Sequence, residues 1–245
     1  MRKTLKALAW NTTLSDDPWW GRAPIPDGNS EGSSVHQLNG FRYVDGGNQT
    51  SAAAPLLLMH GSSGNENDLI PLSENIAPNR RYVSLRGAVE WGTGYAFFKR
   101  NDDRSLDYVD LNCQTFRLCE FLASALETGV LKSKPILLGF SNGAITAASI
   151  LFQAPFLVAG AILIRPLSPA PDRDFPELAG LPVFIGAGEK DTRRSPDDVK
   201  LMTAQLEKCG ADVTTHVLLS GHGLHDDEPK LIKDWLQAKF LLVAD

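Results

Sequence analysis

The chain has 245 residues, 43% of them hydrophobic and 22% charged, a globular usage that excludes collagen-like, coiled-coil and wholly disordered proteins. Its 24 Lys and Arg against 29 Asp and Glu give a formal net charge of −5, and no basic run is long enough to track phosphates, which argues against a nucleic-acid partner. The longest apolar stretches, Ala52 to Met59 and Phe156 to Ile164, fall far short of the roughly 18 residues a membrane span needs.

At the start of the chain, Arg2, Lys3 and Lys6 precede an apolar patch of only Ala7 to Trp10. That patch is shorter than the h-region of about 7 residues or more in a secretory signal. No secretion is expected, and a cytoplasmic location suits Cys113, Cys119 and Cys209, an odd set without CxxC or zinc-like spacing. Residues 1–34 read as an irregular N-terminal extension, because Asp, Pro, Gly, Ser and Asn crowd residues 11 to 34 and sustain neither a helical nor an alternating pattern. Trp19 and Trp20 within it are expected to lie across the domain surface or a partner, since each can bury a large area.

From residue 35 onward the spacing predicts a single α/β domain reaching residue 245. Short apolar runs stand at Phe41 to Val44, Pro55 to His60, Tyr82 to Leu85, Pro135 to Phe140, Leu157 to Ile164, Pro182 to Ala187 and Val213 to Leu218. Helical patterns over about 106–127, 142–153, 196–209 and 227–242 lie among the later runs. This alternation predicts βαβ units in a mostly parallel sheet flanked by helices on both faces, a three-layer α/β/α architecture. Unbroken runs such as Leu56-Leu57-Leu58 and Ile136-Leu137-Leu138 fit strands buried on both sides.

In such a sheet, sites form outside the carboxyl ends of the strands, so the residues after each run are the candidates. Gly139-Phe140-Ser141-Asn142-Gly143 matches GxSxG between a strand run and a helix. In that position the glycines permit a tight turn that lifts a serine hydroxyl clear of the backbone. A serine is a poor nucleophile without a base, and the base needs an acid to orient it. Asp191 follows the run Pro182 to Ala187, and His222 follows Val213 to Leu218, giving the chain order Ser, acid, His of an α/β-hydrolase arrangement. His225 and Glu189 are the competing base and acid. An HxxH reading of His222 and His225 as a metal site lacks the helical i, i+4 spacing, so no metal and no organic cofactor is expected. His36 and His216 read as surface or packing residues, and His60 as packing beneath its loop. The oxyanion of an acyl transfer needs two backbone N–H groups: Asn142 supplies one, and Ser62, after Gly61, supplies the other.

These segments together resemble the phospholipase/carboxylesterase branch of the α/β hydrolases, which also holds acyl-protein thioesterases and small cytoplasmic esterases. Leu58 to Leu69 looks like the family's LHGxGGxExDL segment. Leu85-Arg86-Gly87 is similar to its second strand-end motif, and Gly139 to Ala144 to its G-[FY]-S-x-G-A segment. Gly186 to Asp191 and Gly221 to Leu224 complete a set covering about residues 38 to 243. Met59, Ser63 and Ala88 depart from the usual Leu, Gly and Pro. The resemblance implies a serine carboxylesterase acting on a small ester, with a homodimer by analogy. Ser141, Asp191 and His222 are expected to be catalytic, and Trp91, Tyr95, Phe97, Phe98, Leu167 and Leu224 to wall the pocket. An aromatic-lined pocket of that kind favours aryl or short acyl esters over charged ones. The alternatives are a thioesterase or lysophospholipase, which needs a long apolar groove, and a silent binding protein on the same scaffold.

Overall fold

A computed structural model of the chain describes residues 35–240; the expected extension over residues 1–34, with Trp19 and Trp20, lies outside them. In chain order the elements are β1 (Val35–Leu38), β2 (Phe41–Gly47), β3 (Leu56–Met59), α1 (Ile70–Ile76), β4 (Arg81–Leu85), β5 (Val89–Trp91), β6 (Gly94–Ala96), α2 (Tyr108–Glu127) and β7 (Ile136–Phe140). There follow α3 (Asn142–Gln153), a 3₁₀ turn over Pro155–Leu157, β8 (Gly160–Ile164), β9 (Pro182–Gly188), α4 (Pro196–Lys208), β10 (Asp212–Leu218) and α5 (Glu228–Phe240). Eight strands form one sheet in the order β1-β2-β4-β3-β7-β8-β9-β10. From β4 to β10 every neighbouring pair is parallel, and only the contacts of β2 with β1 and β4 are antiparallel.

Every residue of β3, β7 and β8 is buried, because alternate side chains enter opposite layers. Leu57, Met59, Leu137, Leu163, Val183 and Ile185 pack with Leu118 and Phe121 of α2, Ile145 and Ala148 of α3, and Met202 and Leu206 of α4. Leu56, Leu58, Ile136, Leu138, Ile162 and Phe184 face the other way, onto Leu72 and Ile76 of α1 and Ile232, Trp235 and Leu236 of α5. The α/β/α architecture is therefore as expected. Each Leu or Ile so buried contributes roughly 1.5–3 kcal/mol, which sets the sheet as the rigid base for the loops at its carboxyl edge.

Two of the helices, α2 and α4, begin where side chains cap their first turns. The Asp107 side chain accepts from the N–H groups of Val109 and Asp110 at the head of α2. Ser195 and Asp198 form a reciprocal capping box on α4, with Pro196 in the first turn. Four elements lie outside the expected set: β1, α1 and the two strands of the hairpin β5–β6. The expected strand 157–164 begins late, at Gly160, because Ala154-Pro155 enters a 3₁₀ turn first and Pro155 has no N–H to give a ladder.

Candidate active site

β7 ends at Phe140, and the chain turns into α3 through Ser141, whose backbone lies at φ 51°, ψ −106°. An L-residue occupies such a region at a cost of order 1–3 kcal/mol and only where its surroundings hold it there. Here Ser141 N–H donates to Ile164 O at 2.8 Å, and Gly143 N–H donates to His60 O at 3.1 Å. A Cβ at Gly139 would run into the backbone of Gly143 and Ala144, and one at Gly143 into the carbonyls of Met59 and His60. Both glycines are thus required by close backbone approach, and the turn presents the serine hydroxyl outward.

Ser141 Oγ lies 2.8 Å from His222 Nε2, and His222 Nδ1 lies 2.7 Å from Asp191 Oδ2. The three residues stand in the loops that follow β7, β10 and β9. The loops after β9 and β10 are tied together by backbone bonds from Glu189 N–H to Leu218 O and from Lys190 N–H to Ser220 O, at 2.8 and 2.9 Å. Asp191 also accepts from Arg193 N–H at 2.7 Å. Burial works to raise the Asp191 pKa, but the hydrogen bonds from His222 and Arg193 and the nearby positive charge overcome it, so the carboxyl is held below its ordinary range. Burial, helped by Arg194 and Arg193, pushes the His222 pKa down against the pull of Asp191. At neutral pH an ionised Asp191 therefore accepts from His222 Nδ1–H, leaving neutral Nε2 as the acceptor for the Ser141 hydroxyl. The site is poised to move a proton off that hydroxyl.

The competing residues fall elsewhere. His225 Nδ1 accepts from Asp227 N–H at 3.2 Å near the start of α5, and Glu189 is exposed. His60 Nε2 accepts from Gly87 N–H at 3.0 Å, so Nδ1 carries the proton and donates to Gly61 O at 2.6 Å. Burial pushes its pKa down to about 4; it braces the turn that carries Ser62 as an uncharged ring. Ser62 is exposed on that turn, and Asn142 is the first residue of α3, whose N–H has no carbonyl one turn earlier. The motif residues Arg86 and Glu66 meet directly, Arg86 Nη2 donating to Glu66 Oε1 at 2.7 Å.

The pocket expectation needs correction at two positions. Phe97 and Phe98 are fully buried in the core and so wall no open pocket; the Asn142 side chain accepts from Phe97 N–H at 2.7 Å and donates to Phe98 O at 3.3 Å. Trp91, Tyr95, Leu167 and Leu224 keep partial exposure. Tyr95 lies under the Arg86 guanidinium, 4.6 Å from it to the ring centroid, and donates its N–H to Gly64 O at 2.9 Å.

Three charged residues absent from the expected site converge on it. Arg165, at the end of β8, donates to both oxygens of Glu228, to Ser220 Oγ and to the carbonyls of Gly221 and Gly223, gripping the loop that carries His222. A lone Arg closing an otherwise apolar strand was the signal for it; Glu228 reads only as a first-turn helix acid. Arg194 Nη2 lies 3.3 Å from Ser141 Oγ, and nothing in the Arg193-Arg194 pair distinguishes it from solvated charge. Among the described residues, no group of three His, Cys, Asp or Glu stands together as a metal site, and no helix is long and apolar enough to cross a membrane.

No family model matches the chain. It is 36% identical over 181 residues to the Bacillus subtilis (strain 168) protein named "Putative hydrolase MhqD", covering 74% of this chain and 90% of that one. Among solved structures, the Bacillus cereus carboxylesterase matches with a TM-score of 0.78 and 34% identity, over 82% of this chain and 95% of that one. The carboxylesterase from Mesorhizobium loti matches with a TM-score of 0.76 and 28% identity, over 84% and 99%. Sheet order, helix layers and these neighbours define an α/β hydrolase. Within that class the chain belongs to the phospholipase/carboxylesterase family, and it is an esterase-like hydrolase.

Proposed function

We propose that the chain is a serine carboxylesterase that hydrolyses small carboxylic esters, with aryl or short-chain acyl groups, through an acyl-enzyme. The observation that carries this reading is the unbroken line of hydrogen bonds from Ser141 through His222 to Asp191. In the first half-reaction the Ser141 proton passes to His222 Nε2 as Oγ bonds to the ester carbonyl carbon. The carbonyl π pair moves onto oxygen, where the N–H groups of Ser62 and Asn142 receive the charge. Collapse breaks the bond to the alcohol, which leaves with the proton from His222. Water then repeats the sequence on the acyl-enzyme and releases the carboxylic acid, while Asp191 keeps the imidazole in one tautomer and steadies its charge. The unpaired cysteines support a reducing, cytoplasmic setting.

Two results are expected. Across p-nitrophenyl esters from acetate to palmitate, kcat/KM should peak at short chains, and a fluorophosphonate should label Ser141 in folded protein. A long-chain optimum would move the reading to a thioesterase or lysophospholipase, and absence of labelling would leave a silent scaffold. A further result concerns pH. Protonated His222 cannot accept the serine proton, and its pKa lies below the ordinary 6.5, so kcat/KM should fall on the acid side with a midpoint below 6.5. A midpoint above that value would mean that the Asp191 charge outweighs burial.

A further inference from the structure

One buried cation at the site has no use in the mechanism above. Arg194 is 8% exposed. Its Nε donates to Arg165 O at 3.0 Å and its Nη1 to Arg193 O at 2.8 Å. These two bonds fix the planar fork and leave Nη2 turned on Ser141 Oγ, 3.3 Å away. A buried charge is expensive unless an anion meets it, yet among the described residues no carboxylate forms an ion pair with Arg194. The acids whose charge reaches it are Asp191 and Asp198. Asp191 is already taken by His222 and Arg193 N–H, and Asp198 by the capping box with Ser195. The positive charge is also reinforced rather than diluted: Arg100 and Arg193 both bear on Arg194, and Arg104 and Arg193 on Arg100. In a chain of net charge −5, Arg194 thus stands against the nucleophile with other arginines near it and no carboxylate of its own among the described residues.

With Phe97 and Phe98 in the core, only Trp91 and Tyr95 of the expected aromatic walls keep partial exposure, which weakens the argument for uncharged esters. The acyl part of a substrate becomes bonded to Oγ in the first half-reaction and stays so until water releases it in the second, so a group two or three bonds along it comes within reach of a guanidinium that already touches Oγ. The Nη2 N–H groups left facing the site offer a carboxylate a charge-assisted hydrogen bond from a planar group whose other nitrogens are already held in place. We infer that Arg194 receives a free carboxylate on the acyl part of the substrate, so that the preferred esters are half-esters of short dicarboxylic acids. This assignment rests on the serine-esterase reading and names its substrate class.

The test compares monomethyl succinate with methyl 4-methylpentanoate, whose branched end has the shape of a carboxylate without its charge, by acid release at constant pH. Wild type should favour the half-ester in kcat/KM by roughly tenfold or more, as charge-assisted hydrogen bonds do. In Arg194→Gln that ratio should collapse to about one or below, and Arg194→Lys, a charge without the fork, should fall between. A wild-type ratio near one overturns the assignment. An equal loss on both esters in Arg194→Gln also overturns it, because the arginine would then serve the Ser141 oxygen and not the substrate. A second measurement needs no turnover: succinate should raise the Tm of wild type and slow its fluorophosphonate labelling, and should do neither in Arg194→Gln. Should that variant fail to fold, Arg194→Lys carries the comparison, with a weaker succinate effect than wild type. No succinate effect on wild type overturns the carboxylate site. Succinate stabilisation of a protein whose Ser141 never labels leaves the carboxylate site standing and removes the esterase reading instead.

Discussion

Ser141→Ala is expected to lower kcat/KM for p-nitrophenyl acetate by roughly 10⁴-fold or more while the protein still folds. The loss is large because His222 and Asp191 act only through the serine oxygen; with Oγ gone, the proton acceptor at 2.8 Å has nothing to activate. The folded state should survive because alanine keeps the Cβ and backbone bonds of the turn and removes only a half-buried hydroxyl. Alanine does retain the unfavourable backbone at φ 51°, ψ −106°. Glycine occupies that region without a Cβ penalty, so Ser141→Gly should be as inactive as Ser141→Ala yet more stable than it by about 1 kcal/mol. For a domain of this size that is a Tm difference of roughly 2–4 °C. Activity undiminished in Ser141→Ala would show that another group attacks the ester. Equal melting of the two variants would show that the turn stores no strain.

How far the molecule was legible from its residues follows from which forces act locally. Strands buried on both faces announce themselves as unbroken apolar runs, and β3, β7 and β9 do so. Ser141 and Asp191 were legible because each follows such a run and His222 because it follows the half-buried edge strand β10, and a parallel sheet places all those ends on one edge. The geometry then brings the three side chains together. The missed elements are short ones whose evidence is a turn. Asn39-Gly40, with φ of 47° and 78°, joins Leu38 to Phe41 and marks a two-residue hairpin, so β1 could have been found. Gly92-Thr93 between Trp91 and Gly94 has the same character. By contrast α1 spans seven residues with no side-chain cap at its start, and it exists because Leu72 and Ile76 complete a core layer made elsewhere in the chain. Phe97 and Phe98 were misplaced because aromatic residues after a strand look alike whether they wall a pocket or fill a core. The difference is the Asn142 side chain, 45 and 44 residues further on. Arg194 was illegible for a related reason, since the worth of a charge depends on partners at long sequence separation, and Arg165 stood out only as a lone charge closing an apolar run, its partner Glu228 lying 63 residues on.

That dependence makes the Arg165–Glu228 pair the place where stability and function can be separated. Both side chains are 0% exposed, with Arg165 Nη1 2.8 Å from Glu228 Oε1 and Nη2 3.0 Å from Oε2. Arg165→Met leaves the Glu228 carboxylate buried without its partner, and breaking such a pair costs about 3–5 kcal/mol. The expected fall in Tm is roughly 6–20 °C at about 2–4 °C per kcal/mol, readable by thermal or denaturant unfolding. Removing the second charge as well changes the balance. In Arg165→Met with Glu228→Leu no ion is left buried alone, so much of the lost stability should return. Activity should not return with it, because the guanidinium also holds Ser220 Oγ and the carbonyls of Gly221 and Gly223, the residues on either side of His222. The double variant should therefore melt near wild type while kcat/KM and the rate of fluorophosphonate labelling stay depressed by roughly tenfold or more, as a misplaced catalytic base implies. Recovery of both together would mean that the loop holds His222 without the arginine, and an unchanged Tm in Arg165→Met would mean that the buried pair contributes nothing to the fold.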